Sequence, residues 1–305
     1  MNRRIGVGLA TAIALFATAS CGTDADSRAE PSASAGIRVA SFDFAESTLL
    51  AEMYAQVIES AGVPVVRLGP VGPREIISPA MELDLIDLVP EYLGTALQYT
   101  GALETNPDTE SALAELNDRL ARRDLIALEA SAAQDKNVFV VTTETADRDE
   151  LVSISDLSPV AAGQRFGGPA ECPDRPLCLV GLKDVYGLQF AAFVPQRSLA
   201  LTAEALRRGE IDVGVMFSTA SQLAAADMVE LVDDRRMQPA ENVVPVIRTQ
   251  ALKRWGPEVA TALNAVSHRL TTADLRLLNL QVANGDSVES VARNWLKDHD
   301  LLGAD

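Results

Sequence analysis

The chain has 305 residues, of which 48% are hydrophobic and 23% charged, so it is long enough for two ordinary domains and apolar enough to fold. Its formal net charge of −17 at pH 7 excludes the basic surface that nucleic-acid-binding proteins present to phosphates, so no nucleic-acid partner is expected. The chain has 2 histidines and lacks G-x-S-x-G, H-E-x-x-H and glycine-rich phosphate-binding motifs. This composition argues against an enzyme, and we expect no cofactor and no metal ion.

The N-terminus has the features of a secretory signal. Arg3 and Arg4 precede an apolar run at 5–16, which is too short for a membrane span. "TASC" then ends at Cys21 and resembles the lipobox of bacterial lipoproteins, although an ordinary cleaved signal with a coincidental cysteine is the alternative. We therefore predict a lipoprotein signal peptide with a lipidated Cys21 at 1–21 and a flexible tether at 22–36. This arrangement would anchor the protein at the outer face of the cytoplasmic membrane.

Strands alternate with helices along the rest of the chain, which predicts α/β lobes with mainly parallel sheets. The apolar patterns predict strands at 37–41, 63–68, 85–89 and 138–142, and a further strand in "EIDVGVMF". The same patterns predict helices at 46–61, 76–83 and 109–123, one in "TAEALRRG", and two closing helices at 251–270 and 272–282.

Three predicted strands end in aromatic residues just before a helix. Phe42 and Phe44 follow the first strand, Tyr92 follows "IDLVPE", and Phe217 ends "GVMF". Ligands of open α/β folds bind at the carboxyl ends of strands, so these rings are candidates for a binding site. Packing at the edge of the core is the alternative for each of them.

Cys172 and Cys178 lie six residues apart in the loop-like "AECPDRPLCL". Outside the cytoplasm the pair is expected to form a disulfide bond. A metal site is the weaker alternative, because His268 and His299 do not complete a known ligand spacing.

Five segments resemble the substrate-binding proteins of osmoprotectant ABC transporters, the family for glycine betaine, carnitine and choline. They are "PEYLGTAL" (90–97), "AAQDKNVFVVT" (132–142), "GLKDVYGLQF" (181–190), "ALRRGEIDVGVMFST" (205–219) and "PAENVVPVI" (239–247). The resemblance implies a two-lobed periplasmic-binding-protein fold of type II, with two parallel or mixed sheets and two crossover strands at the hinge. It places lobe 1 at 37–136 and 241–305, lobe 2 at 137–240, and the crossovers near 134–138 and 238–243.

The resemblance also marks ligand-binding positions, because such proteins hold a quaternary ammonium group against aromatic faces. The matched positions are Tyr92, Thr95, Phe42, Phe139, Phe217, Arg175 and Thr219. The sequence departs from the family pattern in having Phe42 in place of a lysine, Ala203 in place of a tyrosine and Ala220 in place of an aspartate. The predicted cage therefore has fewer rings and one basic group fewer than the family pattern.

These observations predict an extracytoplasmic binding lipoprotein, monomeric, that captures an osmoprotectant-type quaternary amine and delivers it to the permease and ATPase subunits of an ABC importer. A first alternative keeps the transport role but binds a bulkier apolar or aromatic solute, because the cage is incomplete. An extracytoplasmic enzyme or a sensor module is a further alternative.

Overall fold

The computed structural model describes residues 36–102, 106 and 108–303, which belong to one compact unit. The predicted signal peptide and Cys21 lie outside the described residues, as does all of the predicted tether except Gly36. No helix of the described residues is long and apolar enough to cross a membrane.

The strands form two five-stranded mixed sheets. The first sheet has the order β2-β1-β3-β10-β4 and consists of β1 (Ile37–Ser41), β2 (Val65–Pro70), β3 (Leu88–Tyr92), β4 (Leu125–Ala127) and β10 (Val243–Arg248). The second sheet has the order β7-β6-β8-β5-β9 and consists of β5 (Asn137–Thr142), β6 (Arg165–Gly168), β7 (Ala192–Pro195), β8 (Val213–Phe217) and β9 (Met228–Leu231).

The two sheets share one pattern of strand directions. In each, three parallel strands are followed by two antiparallel pairings, which β10 makes in the first sheet and β5 makes in the second. The antiparallel strand, β10 in the first sheet and β5 in the second, is therefore the fourth strand in each order. Both sheets are mixed rather than mainly parallel. The predicted α/β class with two mixed sheets is confirmed.

Helices cover the sheets and close the chain. They are α1 (Ala45–Ser60), α2 (Arg74–Glu82), α3 (Leu93–Tyr99), α4 (Thr109–Leu120), α5 (Thr143–Asp149), α6 (Leu179–Tyr186), α7 (Leu199–Arg207), α8 (Thr249–Trp255), α9 (Pro257–Arg269), α10 (Thr272–Ala283) and α11 (Val288–Asp298). The prediction of one helix over 251–270 is wrong. Gly256 adopts φ 93° and Pro257 has no N–H to continue the ladder, so the chain turns and starts a second helix there.

The central strands are buried on both faces, which explains why their sequences are apolar throughout. Every residue of β3 is buried, and so are the first five of β10. One core surrounds the first sheet, with Leu88 and Val244 fully buried. Two smaller clusters lie on the faces of the second sheet, one around Phe166 and one around Val140.

Two segments of chain pass side by side from one sheet to the other. Gln134 pairs with Asn242 in an antiparallel bridge, and the Asp135 N–H donates to the Glu241 carbonyl at 3.0 Å. These are the positions at which the sequence predicts the crossovers. All first-sheet strands come from chain outside 137–231 and all second-sheet strands from within it; the exact boundaries at 136/137 and 240/241 stay a prediction.

Candidate ligand-binding site

Three aromatic side chains form a row, named here the aromatic row, at the carboxyl ends of β1 and β3. The rings of Phe42 and Phe44 stack with centroids 5.9 Å apart, and Phe44 lies 6.0 Å from Tyr92. Phe44 is 43% exposed, whereas Phe42 and Tyr92 are 5% and 6% exposed. Phe44 therefore offers the largest open aromatic face of the row, although it is not among the positions matched to the family pattern.

The Tyr92 hydroxyl is already used inside the protein. It donates a hydrogen bond of 2.7 Å to Glu46 Oε1, and Asn279 Nδ2 donates to Glu46 Oε2 at 2.6 Å. Burial, together with the negative charge of Glu46, raises the pKa of Tyr92 well above its usual value, so the hydroxyl stays protonated. What Tyr92 can offer to a solute is the face or edge of its ring.

A buried ion pair lies beside the aromatic row. Arg74 pairs with Glu91, its Nη2 lying 2.7 Å from Oε2, and its guanidinium lies 5.0 Å from the centroid of Phe42. Glu91 is thus held in a buried ion pair. The position where the family pattern has a lysine carries Phe42, and a cation from another element lies beside that ring.

Thr95 bonds to the second crossing segment. Its hydroxyl donates to Glu241 Oε1 at 2.7 Å and its N–H donates to Oε2 at 3.0 Å. Burial raises the pKa of Glu241. Thr95 therefore fixes the start of α3 against the hinge, although its own side chain remains on the exposed surface.

A cavity of about 780 Å³ lies at the carboxyl ends of β6, β7 and β8. Its lining includes Asn137, Arg175, Arg197, Ser198 and Phe217, and Gln98 of α3 contributes from the first-sheet side. Phe217 is 47% exposed and faces Asn137 across the β5–β8 pairing. Two predicted residues, Arg175 and Phe217, are thus brought together, whereas Phe42, Tyr92 and Thr95 are not among the lining residues.

Phe139 does not reach this cavity. It is 1% exposed and packs against Phe166 with centroids 5.9 Å apart in the core of the second sheet. Asn137 lies on the same face of β5, but it is the first residue of the strand and stands two residues, roughly 6–7 Å, before Phe139. The matched position is therefore buried, and Asn137 takes the place at the cavity edge where the ring of Phe139 was predicted.

Thr219 lies where the two sheets' regions meet, away from the cavity lining. Its hydroxyl donates to Asp135 Oδ1 at 2.9 Å, and its carbonyl accepts from Asn279 at 3.0 Å. Burial, with the charges of Glu46 and Glu241 adding to it, raises the pKa of Asp135 to about 7. Thr219 links the crossing segment to α10, and its side chain is 3% exposed.

Cys172 and Cys178 form the predicted disulfide bond, which closes the loop that carries Arg175. Both cysteines and three residues of this loop line the cavity. No group of metal-ligating side chains occurs among the described residues. Glu46, Asn137 and Arg197 were missed as site residues, and Phe44 was named only as a candidate ring at a strand end; "SFDFAES" already showed Glu46 beside it.

Two mixed α/β sheets with paired crossing segments, and side chains gathered at the strand ends, define the class of two-lobed solute-binding proteins. The chain matches the family model for the substrate binding domain of ABC-type glycine betaine transport systems over residues 35–298, and it belongs to this family. It is therefore a solute-binding protein of an ABC transporter rather than an enzyme, and this class acts outside the cytoplasm.

Several characterised proteins are similar over most of their length. The glycine-betaine-binding protein of Pseudomonas aeruginosa is 25% identical over 277 residues, covering 87% of this chain and 88% of its own. The glycine betaine-binding protein YehZ of Escherichia coli is 25% identical, covering 87% and 91%. The carnitine transport binding protein OpuCC of Listeria monocytogenes is 23% identical, covering 87% of each chain.

Solved structures show the same fold. A crystal structure described as a glycine betaine/carnitine/choline ABC transporter aligns with a TM-score of 0.80 and 25% identity, covering 88% of this chain and 100% of that one. The closed, glycine betaine-bound form of lactococcal OpuAC aligns with a TM-score of 0.55 at 20% identity, covering 87% and 96%.

Proposed function

We propose that this protein captures a small quaternary amine of the osmoprotectant type, such as glycine betaine, choline or carnitine, and delivers it to the permease of an ABC importer. The observation that carries this proposal is the aromatic row at the ends of β1 and β3, with the buried Glu46 behind it. A trimethylammonium group has no N–H to donate, so aromatic faces and nearby negative charge are what attract it. The names of the relatives, which are glycine betaine- and carnitine-binding proteins, support the same solute class.

Capture would proceed by closure of the two lobes about the crossing segments. Phe44 and Tyr92 lie on the first-sheet side, while Arg175 and Phe217 lie in the cavity on the second-sheet side. A solute that contacts both groups would be enclosed when these surfaces approach. Gln98 of α3 already lines the cavity, so on closure the first-sheet residues would approach the cavity from the side of Gln98.

A bulkier apolar or aromatic solute is the second candidate. The observation in its favour is that Phe139 is buried in the core and Ala203 supplies no ring, while the cavity measures about 780 Å³. A volume in this range suits ligands larger than glycine betaine.

A thermal-shift screen separates the two candidates. Binding to the native state raises the melting temperature by mass action, so quaternary amines should raise Tm and planar apolar compounds should not. A rise in Tm with planar apolar compounds alone would reject the quaternary amine in favour of the second candidate.

We also propose that Cys21 carries a lipid that anchors the protein to the outer face of the membrane. The support is the "TASC" motif after the apolar run at 5–16. Mass spectrometry of the protein from membranes should find the lipid on Cys21, and Cys21→Ala should release the protein. A Cys21→Ala protein that still carries a lipid mass would refute the anchor.

A further inference from the structure

The side chains of two arginines on the cavity wall have no partner within the described chain. Acidic residues outnumber basic ones by 43 to 26, and many arginines of the described chain form ion pairs, such as Arg38 with Asp87 and Arg67 with Glu52. The side chains of Arg175 and Arg197, by contrast, form no hydrogen bond or ion pair with any described residue, and both line the cavity beside Phe217. Because these two guanidinium groups are unpaired although the protein is rich in acidic residues, both are available to bind a ligand in the cavity.

The fold brings these arginines to the same edge of the second sheet. Arg175 lies in the loop that follows β6, and the Cys172–Cys178 disulfide restrains that loop. Arg197 closely follows β7, which pairs in parallel with β6, so the two strands end at the same edge. The resemblance to the osmoprotectant-binding family marks Arg175 and gives no role to Arg197.

The charged residues that line the cavity together favour the binding of an anion. Glu171 is the acidic residue in the lining and opposes the two arginines, which leaves one net positive charge. Ser198 caps the nine-residue helix α7, whose first residue, Leu199, also lines the cavity. The positive end of this helix dipole adds to the field of the arginines, although it is too weak to define a site alone.

We propose that Arg197, together with Arg175, forms an oxyanion subsite that binds a carboxylate or phosphate group of the ligand. Arg197 is then a specificity-determining residue, and it makes the protein prefer solutes with both a quaternary ammonium and an oxyanion over solutes with the ammonium alone. This inference rests on the proposed function for the cationic end of the ligand. Guanidinium groups suit this task because they bind the two oxygens of a carboxylate or phosphate at once.

The test compares three solutes that share a trimethylammonium group, by calorimetric titration at low salt. Glycine betaine carries a carboxylate, phosphocholine carries a phosphate, and choline carries neither. Arg197→Gln should weaken binding of glycine betaine and phosphocholine about five- to tenfold, as expected for loss of an exposed charge-assisted contact, and should change choline binding less than twofold. The ratio of glycine betaine to phosphocholine affinity in the wild type tells which oxyanion the subsite prefers.

Arg122→Gln is the matched control. Arg122 is an exposed arginine in a short 3-10 turn at Ala121–Arg123, outside the cavity lining, so this variant removes the same charge elsewhere. It should leave all three affinities unchanged. Equal weakening of all three solutes in Arg197→Gln, or weakening of none, would overturn the subsite.

A probe without an amine separates this inference from the proposed function. Inorganic phosphate should raise the Tm of the wild type and of Arg122→Gln above that in sodium chloride of equal ionic strength. Arg197→Gln should lose most of this rise. If phosphate gives no rise in the Tm of the wild type, or raises the Tm of Arg197→Gln equally, the subsite is refuted, whatever the amines do. If no amine binds but the effect of phosphate depends on Arg197, the proposed function fails and the subsite stands.

Discussion

At the scale of single residues, Tyr92 and Asp135 show how a binding wall is built on buried acids. Tyr92 donates its hydroxyl to Glu46, and Asp135 accepts from Thr219 while the charges of Glu46 and Glu241 act on it. Arg74 is committed to Glu91. The wall behind the aromatic row therefore carries more negative than positive charge, which suits a cationic group and costs stability when the site is empty.

The pKa of Asp135 makes that cost measurable. Because the folded state holds this proton up to about pH 7, whereas an unfolded aspartate loses it near pH 4, the free energy of unfolding should fall as pH rises from about 4 to 7. Asp135→Asn keeps the Oδ1 acceptor for Thr219 and carries no charge. We expect this variant to be more stable than the wild type at pH 7.5, by about 1–3 kcal/mol, and nearly equal at pH 4.

Urea unfolding of both proteins across this pH range is the measurement. A stability gain of the same size at every pH would show that the Asp135→Asn substitution improves packing and that Asp135 does not titrate near neutrality. A loss of stability at pH 7.5 would contradict the assignment directly.

At the scale of elements, α10 ties the two sheets' regions together. Its residues Arg276 and Asn279 lie three apart on one helical face, and they donate to the main-chain carbonyls of Ser218 and Thr219 at 2.5 and 3.0 Å. Asn279 also holds Glu46, the partner of Tyr92. The helix thereby positions the chain just after Phe217 relative to the aromatic row.

Asn279→Asp should break this connection. The new carboxylate cannot donate to the Thr219 carbonyl and faces Glu46, so we expect a loss of about 1–3 kcal/mol in the free energy of unfolding. Amide hydrogen exchange in the segment after Phe217 should become faster as well. Asn284→Asp, at the exposed end of the same helix, is the control and should cost only a few tenths of a kcal/mol. Equal effects of the two variants would refute the positioning role of Asn279.

At the scale of the whole molecule, the sequence predicts the series of strands and helices better than it predicts the site. Unbroken apolar runs such as "VFVV" (138–141) predict buried strands, and glycines such as Gly62 mark helix ends. The placement of Phe139 could not be read in this way, because β5 reaches the cavity only with its first residue, Asn137, and a position two residues further along the strand is buried. The contacts of Glu46 with Tyr92 and Asn279 join positions 46 and 233 residues apart, which no local pattern reveals.

The most direct test of the proposed function is calorimetric titration with glycine betaine. We expect submicromolar binding to the wild type and its loss in Tyr92→Ala. Because Tyr92 is buried and its removal can disturb folding, Phe44→Ala is the second variant; Phe44 is 43% exposed, and its loss should weaken binding about fivefold or more. Tyr99→Ala, at the far end of α3, should bind like the wild type. Absence of heat with glycine betaine and every other quaternary amine, alongside binding of a planar apolar compound, would contradict the account.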